Sequence, residues 1–237
     1  MEFRLKPFFD RYIETAFDGN AQAEHKFVQF ERNYRSFFPA DKSLPLLDIG
    51  IGRGEMLSCM KAWGYAGYKG VDISPSAVNH CAKLDLNCEL VPDTVAWLHS
   101  VPNQWHLITL LDVLEHFRKE DLLDFLAAVR LALAPGGKLT IHVPNLQSPN
   151  GYLHRYNDLT HEVGFTEHSL IQLLAVAGFG PAEIHSFEES ISSEWKEYCR
   201  LSLRYFYRAG VRLARKVHGN LNPTIISPIM FVVVAKE

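Results

Sequence analysis

The sequence predicts an α/β protein with a doubly wound, mainly parallel sheet of seven strands. From residue 44 onward, apolar runs of strand length alternate with segments of helical periodicity. Several of these runs are strongly apolar, as expected for strands that helices cover on both faces. The first run leads into a loop with glycine at every second position, which is typical of a ligand-binding turn between a strand and a helix.

Composition and charge fit one sizeable domain with an appendage. The chain has 237 residues, of which 47% are hydrophobic and 22% charged, and both values are ordinary for a globular protein. The net charge of −3 provides no basic field for nucleic acid, so no such partner is expected. Four cysteines without zinc spacing fit a reducing compartment. Because neither a signal-peptide core nor a long apolar run is visible, a cytoplasmic localisation is expected.

Residues 1–43 are predicted to form an N-terminal helical cap, and residues 44–237 the main domain. Two amphipathic helices are expected in the cap, with a break at Asp18-Gly19-Asn20. Apolar side chains mark one face of each helix: Phe8, Phe9, Tyr12, Ile13 and Phe17 on the first, and Phe27, Phe30, Tyr34 and Phe37 on the second.

The main domain is predicted to alternate strands and helices along the chain. Strands are expected at residues 44–49, 67–73, 88–91, 106–111, 138–143, 182–187 and 225–235. Helices are expected at residues 55–63, 76–84, 94–99, 122–133 and 169–177. Ser74 followed by Pro75 indicates a helix N-terminus. Pro135-Gly136-Gly137 is expected to end a helix and turn the chain into the fifth strand.

The turn after the first strand contains Gly50, Gly52 and Gly54, and Asp48 precedes it. Its spacing differs from the G-x-G-x-x-G fingerprint of nicotinamide dinucleotide sites, which disfavours an oxidoreductase. An acid at the mouth of the loop is poorly placed beside a pyrophosphate and well placed beside a cation or an amine. S-adenosylmethionine has a sulfonium and an ammonium group but no phosphate. The electrostatics therefore favour S-adenosylmethionine as the cofactor.

Five segments in chain order resemble motifs of class I S-adenosylmethionine-dependent methyltransferases. They are Asp48-Ile49-Gly50-Ile51-Gly52-Arg53-Gly54, Gly70-Val71-Asp72-Ile73-Ser74, Pro92-Asp93-Thr94, Leu110-Leu111-Asp112-Val113-Leu114-Glu115-His116-Phe117 and Leu133-Ala134-Pro135-Gly136-Gly137-Lys138-Leu139. The resemblance implies the Rossmann-like fold of this class. It also implies that Asp72 accepts hydrogen bonds from both ribose hydroxyls, and that Asp93 accepts one from the adenine amino group. The implied cofactor-binding residues are Asp48, Gly50, Gly52, Gly54, Asp72, Ile73, Asp93, Thr94, Leu111 and Asp112.

Three of these positions have simpler alternatives. Asp72 could be a helix N-cap or a turn residue, although the order of the motifs in the chain favours the ribose-binding role. Asp93 could be an ordinary helix N-cap, because Pro-Asp-Thr is a common helix start. Glu115-His116 could be the solvated edge of a helix.

The segment at residues 144–166 follows the fifth strand and is expected to face the cofactor, because ligands bind beyond the carboxyl ends of parallel strands. Asp158-x-x-His161 followed by Phe165-Thr166 resembles a methyltransferase subgroup found in glycan, polysaccharide and natural-product pathways. By this resemblance, His161 is the predicted general base and Asp158 the group that orients it.

His116 and His154 are further candidates for the base, and a purely structural role for His161 is the alternative. A metal site built from Asp112, His154, Asp158 and His161 is also conceivable. Because histidine suits magnesium badly, no metal is predicted.

Residues 190–222 are predicted to form a helical insertion before the last strand. Basic residues recur at every fourth position: Lys196, Arg200, Arg204, Arg208, Arg212 and Lys216. They predict either a solvated basic face on a helix packed against the domain, or contact with an anionic partner. That partner would be a membrane surface, a lipid-linked glycan or another subunit in a homodimer. No wide, continuous apolar face is evident between the basic residues.

The sequence therefore predicts a methyltransferase that uses S-adenosylmethionine for O-methylation of a small-molecule or glycan acceptor. A sugar or glycan hydroxyl is the first choice for the methylated group. A small phenol, quinone precursor or polyketide is the alternative acceptor, because the cap is rich in Phe and Tyr. A catalytically silent cofactor-binding module is a further alternative, which the intact acids, glycines and base candidate disfavour.

Overall fold

A computed structural model describes residues 6–15, 23–189, 194–219 and 225–236 and contains one seven-stranded sheet. The strands are β1 Leu46–Ile49, β2 Tyr68–Asp72, β3 Cys88–Leu90, β4 Trp105–Leu111, β5 Leu133–Pro144, β6 Glu183–Ser186 and β7 Ile229–Ala235. Their order is β3-β2-β1-β4-β5-β7-β6. Neighbours among β1 to β5 pair in parallel, and β7 runs antiparallel to both β5 and β6. The predicted doubly wound, mainly parallel sheet is confirmed.

Ten helices accompany the sheet in the described part of the chain. They are α1 Lys6–Asp10, α2 Tyr12–Thr15, α3 Ala23–Tyr34, α4 Glu55–Ala62, α5 Pro75–Lys83, α6 Thr94–Ser100, α7 Leu122–Ala132, α8 Gly151–Asn157, α9 Glu167–Val176 and α10 Glu194–Val217. Short 3₁₀ helices span Arg35–Phe37 and Leu114–His116. The break predicted at residues 18–20 lies outside the described residues.

Local sequence signals account for most helix ends. The hydroxyl of Ser74 accepts from the backbone N–H of Ala77 at 3.3 Å, so Ser74 caps α5 and Pro75 opens it, as predicted. Helix α8 lies where the sequence predicts only a loop, because its residues carry no helical periodicity strong enough to mark it.

The Pro-Gly-Gly segment at residues 135–137 is a strand irregularity, whereas the sequence predicts a turn before the strand. Helix α7 ends at Ala132, and β5 begins at once with Leu133 paired to Trp105. The register then shifts so that Leu107 pairs with Lys138, and Gly136 absorbs the extra residues at a φ of 70°. The predicted helix is present, but the prediction that this turn ends it is wrong, because residues 135–137 lie within β5.

Two apolar cores cover the two faces of the sheet. On one face, α6, α7 and α9 pack against inward residues such as Leu47 and Ile49. On the other, α3, α4 and α5 pack against alternate residues such as Leu46. This alternation of contacts explains why β1 is buried at every position.

The carboxyl ends of β1, β2, β4 and β5 meet at one edge of the sheet, since these strands are parallel. Strand β6 also ends there, because Ser186 and Val143 pair with the same residue, Met230. The segment between β6 and β7 contains α10, which therefore starts from the same edge. Within the described ranges, no helix has both the length and the hydropathy needed to cross a membrane.

Candidate active site

A large cavity opens at the carboxyl edge of the sheet. Its volume is about 1190 Å³, and the last residues of four strands line it: Ile49, Asp72, Leu111 and Pro144. Side chains of α1, α3 and α8 complete the wall. Since ligand cavities usually measure roughly 300–1,000 Å³, this one has room for a nucleoside cofactor together with a second molecule.

The glycine turn after β1 has the backbone that its sequence predicts. Gly50, Gly52 and Gly54 all adopt positive φ, at 78°, 51° and 79°. A Cβ on Gly50 would lie 2.5 Å from Cγ2 of Val113, so a side chain there would force the turn away from the segment after β4. Gly50 and Gly52 line the cavity, as predicted for cofactor-binding residues.

Gly54 directs its Cβ position away from the cavity, and its contact with the cofactor stays a prediction. It does not line the cavity. It is the N-cap of α4, and a Cβ there would lie 2.6 Å from Leu86 and 2.9 Å from the sulfur of Cys81. Gly54 is therefore required for the turn and for close packing beneath it.

Asp72 joins the end of β2 to the glycine turn. One carboxylate oxygen accepts from the N–H of Ser74 at 2.7 Å, and the other from the N–H of Gly52 at 3.3 Å. Burial raises the pKa of Asp72 to about 6, although these backbone hydrogen bonds oppose the rise. Asp72 lines the cavity, and this position fits the predicted role of its carboxylate as an acceptor of hydrogen bonds from a ligand.

Asp48 is a buried acid beneath the same turn, with 2% of its surface exposed. The hydroxyl of Thr109 donates to it at 2.5 Å. Burial, together with the nearby carboxylates of Asp72 and Glu55, raises the pKa of Asp48 to about 8. A cation in the cavity would favour the ionised form of this acid, in agreement with the electrostatic reasoning from the sequence.

The remaining predicted cofactor residues also line the cavity: Ile73, Asp93, Thr94, Leu111 and Asp112. Asp93 additionally caps α6, because its carboxylate accepts from the N–H of Ala96 at 3.0 Å. Both interpretations of Asp93 are therefore compatible with its position.

Asp112 is held by a buried chain of polar groups that sequence reasoning missed. The hydroxyl of Tyr34, on α3, donates to Nδ1 of His142. Nε2 of His142 lies 3.4 Å from the carboxylate of Asp112, which adopts a positive φ of 54°. Burial lowers the pKa of His142 and raises that of Tyr34, so both groups are neutral near pH 7. The apolar periodicity of α3 marks Tyr34 as a core residue, but no sequence pattern links it to His142.

His161 lies at the cavity wall opposite the glycine turn, on the segment between α8 and α9. Its Nδ1 is 2.8 Å from the carbonyl oxygen of His154, so the proton resides on Nδ1 and Nε2 carries the lone pair. Arg155 donates to the carbonyls of His161 and Glu162 and fixes this part of the chain. No sequence pattern indicates this role of Arg155.

His116 forms the second half of the histidine pair. Its Nδ1 is 2.8 Å from the hydroxyl of Thr160, which donates to Asp158 at 2.6 Å. The His116 and His161 rings lie 4.8 Å apart at a steep angle. Burial, reinforced by the neighbouring His161, lowers the pKa of His116 to about 4 and keeps this ring neutral.

The structure changes the predicted role of Asp158. A backbone carbonyl occupies Nδ1 of His161, the atom through which a carboxylate would orient this ring. The carboxylate of Asp158 instead receives two hydrogen bonds from Thr160, one of them from the hydroxyl that contacts His116. Asp158 thus positions His116 through Thr160 and adds negative charge near both rings.

Glu115-His116 does not form a solvated edge. Only 1% of the surface of Glu115 is exposed, and burial beside Asp112 raises its pKa well above the usual range. Its carbonyl accepts from the N–H groups of Glu162 and Val163 at 2.7 and 3.1 Å. These two bonds dock the segment that carries His161 onto the segment that follows β4.

Three side chains of this region could ligate a metal. His116, Asp158 and His161 offer ligand atoms within 4.8 Å of one another. The set shares two residues with the site considered from the sequence, but His116 replaces Asp112 and His154. Two imidazoles and one carboxylate suit a first-row transition metal better than magnesium. The prediction that no metal is used stays a prediction.

The doubly wound sheet, the positive-φ glycine turn and the acids at the ends of β1 and β2 define the class of the protein as an S-adenosylmethionine-dependent methyltransferase. Within that class, the chain belongs to the family described as Methyltransferase domain, which it matches over residues 22–183. No curated protein matches the sequence significantly.

Solved structures of methyltransferases share the fold over nearly the whole chain. An S-adenosylmethionine-dependent methyltransferase from Archaeoglobus fulgidus is 23% identical, with a TM-score of 0.69 over 97% of this chain and 98% of that one. A possible histamine N-methyltransferase from Thermotoga maritima is 13% identical, with a TM-score of 0.69 over 99% and 100%. A 1,6-didemethyltoxoflavin-N1-methyltransferase from Burkholderia thailandensis is 15% identical, with a TM-score of 0.59 over 98% and 87%.

The cofactor is accordingly S-adenosylmethionine, and the residues of the cavity fit it. Gly50 and Gly52 present backbone without side chains, Asp72 presents two acceptor oxygens, and Asp48 supplies a buried acid suited to a cation. No basic side chain of the turn lines the cavity, which suits a nucleoside without phosphates.

Proposed function

We propose that the protein methylates a hydroxyl group, with His161 as the general base and a sugar or glycan hydroxyl as the acceptor. The observation that carries this proposal is the hydrogen bond from Nδ1 of His161 to the carbonyl of His154. Because this bond holds the Nδ1 proton, the basic nitrogen Nε2 is left to take a proton.

The cofactor, when bound, supplies an activated methyl group, so the protein must chiefly align the acceptor and remove its proton. Gly50, Gly52, Asp72 and Asp93 would hold the nucleoside, and Asp48 and Asp112 would face its charged end. Nε2 of His161 takes the hydroxyl proton. The resulting imidazolium is stabilised by the His154 carbonyl and by the nearby charge of Asp158.

His116 is a positioning residue in this proposal. Its pKa of about 4 makes it a poor base near neutral pH. It packs edge-on against His161 and is itself oriented by Thr160, so that it limits rotation of the catalytic ring. A hydroxyl acceptor benefits from such a fixed base, whereas a free amine needs none.

Polar groups beside His161 support a sugar acceptor. Asn157, Asp158 and Thr160 line this side of the cavity and offer several partners for neighbouring hydroxyls. A ring with many hydroxyls also has apolar C–H faces, which Phe8 and Phe9 could cover.

A phenol, quinone precursor or polyketide is the second candidate acceptor, and the aromatic residues of the cap favour it. Phe8, Phe9 and Phe30 line the cavity, and the ring of Phe9 lies 5.9 Å from that of His116 in an edge-on arrangement. A planar acceptor could stack between these rings with its hydroxyl toward His161.

Transfer of a labelled methyl group to a panel of glycosides, phenols and amines tests the proposal. We expect a hydroxyl product and a fall in kcat of about 10²–10⁴-fold for His161→Ala, with unchanged affinity for S-adenosylhomocysteine. His168→Ala, at an exposed position on α9, is the matched control and should keep full activity. Exclusive amine products, or full turnover by His161→Ala, would refute the assignment of the base.

A further inference from the structure

Helix α10 presents to the domain the side that the sequence suggests would face solvent. Arg204 and Arg208 form ion pairs with Glu188, which follows β6. Arg215 donates to the carbonyl of Gln147 at 2.7 Å. The basic residues on this side of α10 therefore contact the domain, and this side is not available to a partner.

The outward side of α10 is apolar, contrary to the expectation that no wide apolar face exists. Its exposed side chains recur at helical spacing and remain between 65% and 76% exposed: Trp195, Tyr198, Leu203, Tyr205, Phe206, Leu213 and Val217. Small residues fill the positions between them at Ala209 and Gly210. We call this surface the aromatic face of α10.

Within residues 195–219, the exposed charges that border the aromatic face are positive. Lys196, Arg212 and Lys216 are exposed on the same helix. Among described residues 195–219, the one acid is Glu197, which is largely buried and paired with Arg200 at 2.7 Å. The charge of this surface is thus opposite to the net charge of −3 of the whole chain.

Helix α10, which carries the aromatic face, is attached at the carboxyl edge of the sheet, where the cavity opens. Gln147 and Glu188, which α10 contacts, follow the carboxyl ends of β5 and β6. More apolar side chains are exposed next to the cavity on and after α8, namely Tyr152, Tyr156 and Leu159.

We propose that the aromatic face of α10 docks on the surface of an anionic lipid bilayer. Exposed Trp, Tyr, Phe and Leu side chains insert at the headgroup boundary, and Lys196, Arg212 and Lys216 bind lipid phosphates. This combination is the pattern of interfacial amphipathic helices. The helix is about 36 Å long at 1.5 Å per residue, so it can lie in the plane of the membrane.

Charge complementarity favours a bilayer over a second copy of the chain. Two α10 helices packed through the aromatic face would bring their basic residues together, and residues 195–219 contain no exposed acid to pair with them. An anionic surface neutralises the same residues. The proposal does not depend on the acceptor, since docking and methyl transfer are measured separately.

Vesicle flotation tests the proposal with full-length protein. We expect binding to vesicles of phosphatidylcholine mixed with phosphatidylglycerol, weaker binding to phosphatidylcholine alone, and loss of binding at high salt. Emission of Trp195, obtained by comparison with Trp195→Phe protein, should shift to shorter wavelength on binding.

Two pairs of substitutions separate the apolar and the charged contributions. Trp195→Ser with Phe206→Ser, and Arg212→Glu with Lys216→Glu, should each weaken binding at least about tenfold. Their matched controls are Leu123→Ser with Val176→Ser and Lys83→Glu with Lys119→Glu, at exposed positions on or beside other helices. The controls should bind like the wild type, and all variants should retain affinity for S-adenosylhomocysteine.

Failure of the wild-type protein to bind anionic vesicles would overturn the proposal. Equal binding to neutral and anionic vesicles would overturn its electrostatic part. A concentration-dependent dimer, seen by light scattering without vesicle binding and abolished by Trp195→Ser with Phe206→Ser, would instead assign the face to self-association.

Discussion

The two walls of the cavity are built in different ways. On the cofactor side, Asp48, the glycine turn and Asp72 lie within one strand–helix–strand unit and are joined by short backbone contacts. On the acceptor side, His116 and Thr160 are separated by 44 residues and meet only because the folded chain brings them together. The hydrogen bonds from the N–H groups of Glu162 and Val163 to the Glu115 carbonyl hold the two segments together.

Because the two walls are built separately, we expect that a substitution can impair cofactor binding without impairing proton removal, and the reverse. The cofactor wall belongs to β1 and β2, each of which is paired on both sides, and β1 is buried throughout. The acceptor wall belongs to a connecting segment held by a few hydrogen bonds. Substitutions on the first wall should change affinity for the cofactor, and those on the second should change turnover.

The largest expected effect on the cofactor wall is that of Asp72→Ala. Loss of a carboxylate that can accept from two hydroxyls should lower affinity for S-adenosylhomocysteine about 100-fold. Calorimetric titration measures this change, and Asp85→Ala, at an exposed acid in the next loop, is the control. Wild-type affinity in Asp72→Ala would break the proposed assignment of this wall.

Thr160→Val should produce the converse result on the acceptor wall. The substitution keeps the shape of the side chain but removes the hydroxyl between His116 and Asp158. We expect kcat to fall about tenfold while affinity for S-adenosylhomocysteine stays within about twofold. Thr160→Ser should restore turnover. If both variants lose cofactor affinity instead, the two walls are coupled and the comparison fails.

The raised pKa values of Asp48 and Asp72 predict a pH dependence for the cofactor wall. Both acids hold their proton more tightly in the folded protein than in the unfolded chain, so their contribution to the free energy of unfolding should decrease as pH rises from about 4 to about 8. A cationic cofactor favours ionised Asp48, so binding near pH 7 should release protons.

Calorimetry in buffers with different ionisation enthalpies measures this proton release, and Asp48→Asn should reduce it. Thr160→Val should leave it unchanged, because Thr160 contacts His116 and Asp158 rather than Asp48. A wild-type titration without proton release would contradict the raised pKa of Asp48.

The smallest expected effect is that of Tyr34→Phe, which tests the support behind Asp112. The variant removes a buried hydroxyl and leaves Nδ1 of His142 without its donor. We expect a loss of about 1–2 kcal/mol in the free energy of unfolding, measured by denaturant titration, and a small fall in cofactor affinity. Tyr65→Phe, which removes a different hydrogen-bonded hydroxyl of the same core, is the control and should change stability but not affinity.

The cofactor wall could be predicted from the sequence because its signals are local. Each glycine and acid stands at a strand end, and a strand end can be placed from apolar runs and turn residues alone. Gly54 is the exception. Gly54 continues the alternate spacing of Gly50 and Gly52, but as the N-cap of α4 it faces Leu86. The spacing of glycines in the sequence does not predict that change of direction.

The acceptor wall could be predicted only by residue type. The sequence supplied His116, Asp158 and His161 as candidates, but the connection through Thr160 depends on a tertiary contact with no periodic signature. The same holds for the link between Tyr34 and His142. On α10, the sequence shows which residues are basic. It does not show that Arg204 and Arg208 face the domain, because that depends on their ion pairs with Glu188, which follows β6.

The position of β7 has a consequence for how the chain is made. Strand β7 fills the gap between β5 and β6, although it follows both of them in the chain and α10 intervenes. On the ribosome, one side of β5 therefore keeps its backbone N–H and C=O groups unpaired until residues 229–235 emerge. The nascent protein therefore carries an open sheet edge while residues 145–228 are synthesised, and this edge is exposed to pairing with other chains during that interval.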